Sequence, residues 1–121
     1  MKFGRTSNPS PYRIFTAAET IDAFKAVTFG DGGLSLGGDY PIGLTTAETD
    51  SVKAGDDVNV QIFGGGYWTA GASITAGAFL ASDSLGNAVE AATGKFAFAR
   101  AIESASAGDA AQVIIINGGK V

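Results

Sequence analysis

Apolar residues recur at every second position in short runs along this chain, and glycine clusters separate the runs. Val58, Val60 and Ile62 alternate with Asn59, Gln61 and Phe63, the pattern of a strand that buries one face, and Gly64, Gly65 and Gly66 are expected to end it. Leu34 and Leu36 flank Ser35 between the turn clusters Gly30-Asp31-Gly32-Gly33 and Gly37-Gly38-Asp39, which predicts a short strand. Ile42 to Leu44 is another short apolar piece. Further on, Ile74 to Ala81 reads as a strand, Asp83 to Asn87 as a hairpin turn and Ala88 to Ala91 as its return. Phe96, Phe98, Arg100 and Ile102 share one face of the next strand, with Ala97, Ala99 and Ala101 on the other. Val113 to Ile116 is apolar at every position, which suits a strand buried between two layers or between a sheet and a neighbouring subunit.

Two stretches are less regular. Thr16-Ala17-Ala18-Glu19 has the form of a capping box for a short helix over 17–25, yet the same residues match a later extended stretch, and extended structure is preferred. Thr45-Thr46-Ala47-Glu48 fits one helical turn or a loop. Residues 1–13 show no periodicity, and Pro9 and Pro11 forbid a regular helix or a central strand. Residues 1–15 therefore read as an extended N-terminal arm, and 16–121 as a single β domain. Short strands at near-regular spacing predict an all-β fold, a small β-barrel or sandwich with Gly-rich turns.

The later match belongs to a longer correspondence. Ala54-Gly55-Asp56 opens a turn and a β-branched run, and Ala107-Gly108-Asp109 does the same 53 residues later. At that offset Thr20 to Val27 also lies over Ser73 to Leu80. Two blocks in one register suggest tandem units of about 16–66 and 67–119, each burying its apolar face against the other. Chance matching in a chain rich in Ala and Gly is the alternative.

Composition narrows the chemistry. There is no Cys and no His, which removes disulfides, thiolate metal sites and the usual general base. Net charge is −4, made of +3 from Lys2, Arg5 and Arg13 in the first 18 residues and −7 from five basic and twelve acidic residues in the rest. An acidic body argues against nucleic-acid binding. No apolar run reaches the length of a membrane span, and residues 1–13 lack the apolar centre of a secretory signal. Gly30-Asp31-Gly32 has Ser35 where a dinucleotide fingerprint needs its third glycine, and Gly94-Lys95 lacks the rest of a phosphate loop. Asp31, Asp39, Asp56 and Asp57 lack calcium-loop spacing and read as turn residues. No catalytic, metal or cofactor-binding residue is expected.

The remaining candidates are binding residues. Tyr67 and Trp68 follow three glycines on an expected loop, where Trp68 either folds back to plug the barrel or, with Tyr67, anchors an interface or a sugar ring. Arg100, on an otherwise apolar face, is either a snorkelling surface residue or an anchor for a partner's acidic group. Lys2, Phe3, Arg5, Tyr12, Arg13 and Phe15 give the arm the basic and aromatic content of a segment that folds onto a partner.

The run Ile74 to Leu80, the turn Asp83 to Asn87, Ala91 to Gly94, the strand Phe96 to Ile102, Ser106 to Asp109 and the closing strand Val113 to Ile116 resemble the small capsid cement, or decoration, proteins of tailed bacteriophages. The resemblance covers 70–119 and extends to the first half through the repeat, departing at Asp22-Ala23-Phe24, which lacks the turn glycine present at Gly77. It implies a structural virion protein, made in the host cytoplasm, that binds the major capsid protein on the outer surface of the head. A homotrimer at three-fold and quasi-three-fold positions, with an arm reaching onto the shell, is implied as well. The alternative is a carbohydrate-binding or adhesive β domain of a phage tail or surface structure, using Tyr67 and Trp68.

Overall fold

The alternating runs pair into two antiparallel sheets of the same design. The computed structural model describes residues 12–30, 33–38, 40–46 and 52–119. Among these, β1 (Tyr12–Thr16), β2 (Ala26–Gly30), β3 (Gly33–Leu36), β4 (Gly43–Thr45) and β5 (Asp57–Gln61) form one sheet in the order β1-β5-β4-β2-β3. β6 (Gly64–Thr69), β7 (Phe79–Ser82), β8 (Ala88–Glu90), β9 (Ala99–Ala101) and β10 (Ala110–Ile115) form the other in the order β6-β10-β9-β7-β8. The second order is the first with every strand replaced by its counterpart five later. Each sheet curls until its outer strands approach, with a parallel bridge from Ala17 to Leu34 in the first and from Ala70 to Ala88 in the second. Antiparallel bridges join Ile21 to Val52 and Ile74 to Ala105.

Hydrogen bonds outside the strands follow the same plan. The Gly55 amide donates to Ala17 O and the Gly108 amide to Ala70 O, both at 2.8 Å. Gly55 and Gly108 have φ of 93° and 92°, so each Ala-Gly-Asp turn needs the left-handed conformation that glycine adopts at least cost. Phe24 occupies the place of Gly77 and adopts φ of 59°, against 86° for the glycine. The turn is therefore kept without its glycine, at a cost of about 1 kcal/mol or more for a residue with a Cβ.

Curling gives each half an interior. Ala17, Ile21, Val27, Leu34, Val58 and Val60 fill the first, and Trp68, Leu80, Phe98, Ala111, Val113 and Ile115 are prominent in the second. Ala26 and Leu44 lie on the outer face of the first sheet, yet they are packed into the second core. That contact joins the halves.

Several sequence expectations change. Tyr12, Arg13 and Phe15, expected on the arm, belong to β1, because β5 supplies a partner strand in the register Tyr12 to Gln61 through Thr16 to Asp57. The 17–25 stretch is neither helix nor regular strand but two single bridges and a turn. Gly64, Gly65 and Gly66 begin β6 rather than ending a strand, since Ile115, Ile114 and Val113 of β10 pair with them. Their small size suits Gln61, whose Nε2 donates to Phe63 O at 3.1 Å and Gly65 O at 2.6 Å, and whose Oε1 would stand 2.6 Å from a Cβ at Gly66. Gly77 interrupts the expected 74–81 strand with a turn in which Ala78 N donates to Thr75 O at 3.1 Å. Around β9 the expected faces hold only in part. Ala97, Phe98 and Ala99 are all buried, so the strict alternation begins only at β9, and opposite them the amides of Ile116 and Asn117 both donate to Phe98 O, the mark of a bulge at the end of the β10 strand. β10 is buried on one face only, through Ala111, Val113 and Ile115, while Ile114 and Ile116 face outward. Thr45, expected in a helical turn or loop, ends β4, while Ala47 and Glu48, Asp31 and Gly32, and Asp39 of the turn clusters lie outside the described residues.

Candidate functional site

The halves meet through the outer face of the first sheet. Antiparallel pairing lines up Tyr12, Gln61, Leu44 and Ala26 in one row across β1, β5, β4 and β2. The second half covers the far end of that row. Ala26 N and Trp68 Nε1 both donate to Gly86 O, at 2.8 and 2.7 Å, and Thr69 N donates to Phe24 O at 2.9 Å. Lys25 Nζ donates to Asn87 Oδ1, and the Tyr40 and Phe96 rings stand 5.3 Å apart. At the near end the halves part into a cleft of about 520 Å3, lined in part by Tyr12, Phe24, Asn59, Gln61 and Tyr67, with no charged side chain among the described residues that line it.

On the second sheet the corresponding row is Gly65, Ile114, Arg100 and Phe79, across β6, β10, β9 and β7. It is exposed. Arg100 Nε donates to Gly77 O at 2.9 Å, and its guanidinium lies 5.1 Å from the centre of the Phe79 ring, a cation–π arrangement that holds the side chain across the face. Ile102, Ile116 and Tyr67 are also exposed. Large apolar residues exposed together on one face are a common feature of binding surfaces.

The sequence candidates fall into different surroundings. Trp68 is 0% exposed, meets Phe98 edge-on with ring centroids 5.5 Å apart, and has its indole N–H satisfied. Its position inward of β6 removes it as an interface anchor or sugar platform, because no partner reaches a ring in the core. Tyr67 lies on β6, not on a loop; it is half-exposed, edge-on to Phe24 at 5.9 Å, and its hydroxyl accepts from Gln112 Nε2 at 3.3 Å. Arg100 is exposed. Tyr12 and Arg13 are exposed on β1, while Phe15 is half-buried and meets Phe29 edge-on at 5.6 Å. Lys2, Phe3 and Arg5 lie outside the described residues. Tyr67 and Arg100 share the second half's surface, and Tyr12 and Tyr67 share the cleft.

Sequence reasoning missed Ile14, Phe24, Phe29, Phe79 and Ile114. Only Phe24 left a signal, as the break in the repeat opposite Gly77. No group of three or more Asp, Glu, His or Cys among the described residues is placed to hold a metal ion, and none of their helices is long and apolar enough to cross a membrane.

A search of curated protein sequences returns no match. Among solved structures the chain is similar to the N base of the gp8.5 head fibre of bacteriophage phi29, with a TM-score of 0.70 and 21% identity over 91% of this chain and 96% of that one. At that identity the likeness is one of fold. The family model described as phage cement protein matches residues 11–116. The chain therefore belongs to the phage cement protein family, and with it to the non-catalytic structural proteins of the virion that associate with the capsid.

Proposed function

We propose that this protein binds the outer surface of the phage head as a homotrimer at three-fold and quasi-three-fold positions, contacts the major capsid protein, and cements neighbouring capsomers in the expanded shell after synthesis in the host cytoplasm. The observation that supports this reading is the presence of exposed apolar residues on both halves, Ile14 and Phe29 on one and Phe79, Ile102 and Ile114 on the other, in a family without catalysis. The similar phi29 protein belongs to a head fibre, which agrees with a place on the head.

The mechanism needs no chemistry. A protein that binds the assembled shell and not its separated subunits stabilises the shell by linkage, by about 4 kcal/mol per site when its free concentration is a thousandfold above Kd. A trimer engaging three sites gains avidity from the linkage of its chains. The basic and aromatic residues ahead of β1, Lys2, Phe3 and Arg5, together with Arg13, make the shell contact, while Phe15 is occupied within the first half.

Removal of residues 1–11 tests this without cutting into β1. Binding to expanded capsids that lack the protein, followed by co-sedimentation, is expected to be lost while thermal unfolding is unchanged. Undiminished binding would reject the arm as the shell contact.

A further inference from the structure

The outer face of the second sheet is the counterpart, strand for strand, of the face by which the first half stands on the second. Tyr12, Gln61, Leu44 and Ala26 correspond to Gly65, Ile114, Arg100 and Phe79. Ala26 and Leu44 are 0% and 1% exposed because the second half covers them, whereas Phe79 and Ile114 are each 44% exposed. The receiving side has a counterpart too. The second half receives the first on Tyr67, Thr69 and the turn from Asp83 to Asn87. The positions 53 residues earlier are Ile14 and Thr16 of β1 and, among the described residues, Gly30, Gly33 and Leu34 of β2 and β3, beside Phe29. Ile14 is 70% and Phe29 64% exposed. Each half thus carries one uncovered side of a contact that the molecule already makes once within itself.

We propose that copies of this chain join head to tail by repeating their internal contact, with the outer face of β7, β9 and β10 of one copy seated on β1 and the β2–β3 hairpin of the next. This rests on the trimer proposed above and names the surfaces that build it. The two surfaces differ, so the interface is heterologous, and such an interface forms a ring when the rotation between copies closes. Three copies then set six like halves around one ring, each standing on the next in the same way. The chemistry is complementary: Phe79 and Ile114 meet Ile14 and Phe29, and Arg100 contributes an arginine, a residue type enriched at interfaces together with aromatic residues.

Ile114→Glu breaks the seated face and Ile14→Glu the receiving one. In sedimentation equilibrium of the full chain, the wild type is expected as a trimer and each variant alone as a monomer. An equal mixture of the two is expected to give one-to-one dimers and nothing larger, because each variant keeps one intact surface. Both positions are exposed, so circular dichroism melts should match the wild type; if either falls, Ile102→Glu and Phe29→Ser probe the same surfaces. Trimers from both variants would reject this interface and leave the trimer standing. A monomeric Ile114→Glu beside a trimeric Ile14→Glu would mean that the seated face pairs elsewhere, and would overturn the head-to-tail arrangement. A wild type that stays monomeric at every concentration would overturn the trimer and this contact together.

Discussion

Trp68→Phe discriminates sharply between a structural and a surface role for the chain's one tryptophan. The residue 53 positions earlier is Phe15, paired with Val58 as Trp68 is with Ala111, so the substitution installs in the second half the ring found in the first. Two losses follow. The indole N–H bond to Gly86 O disappears at a net cost of about 1 kcal/mol, and the acceptor is not orphaned because Ala26 N still donates to it. The smaller ring also gives up roughly two carbon-sized groups of buried contact at about 0.8 kcal/mol each. The total is on the order of 2–3 kcal/mol. With an unfolding entropy of about 2.1 cal/mol/K per residue over 121 residues, that lowers Tm by about 10 °C. Differential scanning calorimetry is the assay, since the substitution removes the tryptophan fluorescence. A Tm within two degrees of the wild type, combined with loss of capsid or sugar binding, would refute the assignment of Trp68 to the core.

Gln61→Leu should destabilise by about 1 kcal/mol, because Phe63 O and Gly65 O both lose a donor in a partly buried place, and urea unfolding will register it as a lower midpoint at unchanged slope. Gly108→Ala should cost about 1 kcal/mol for its positive φ alone, since a Cβ there meets nothing within 4 Å. Gly43→Ala should cost more than Gly108→Ala although its φ is ordinary, because the new Cβ collides with Gln61 O and Val60 Cγ1 where β4 packs on β5; comparison of the two melting curves checks the order. Phe24→Gly relieves strain but removes a ring that meets Tyr67, so its melting temperature should shift less than that of Leu80→Ala, which opens a cavity costing about 2–5 kcal/mol.

Local sequence was sufficient for whatever depends on neighbours along the chain. The alternation of Val58 and Val60 with Asn59 and Gln61 set a strand with its valines turned inward, and the Ala-Gly-Asp triplets set two equal turns, because period and left-handed glycines act over a few residues. The lack of His and Cys argued against catalysis before any fold was drawn, and membership of a non-catalytic structural family agrees with it. Tertiary structure decided what depends on distant partners. Gly64 to Gly66 look like a stop until β10 pairs with them and Gln61 fills the space above them. Trp68 beside Tyr67 could as well plug the interior as anchor a partner until the strand turns one ring inward and the other out. Phe79 and Ile114 look like half of a core, and their exposure follows from burial being a property of surfaces: the same row that is covered in the first half lies open in the second, because the chain supplies a neighbour for one and not for the other.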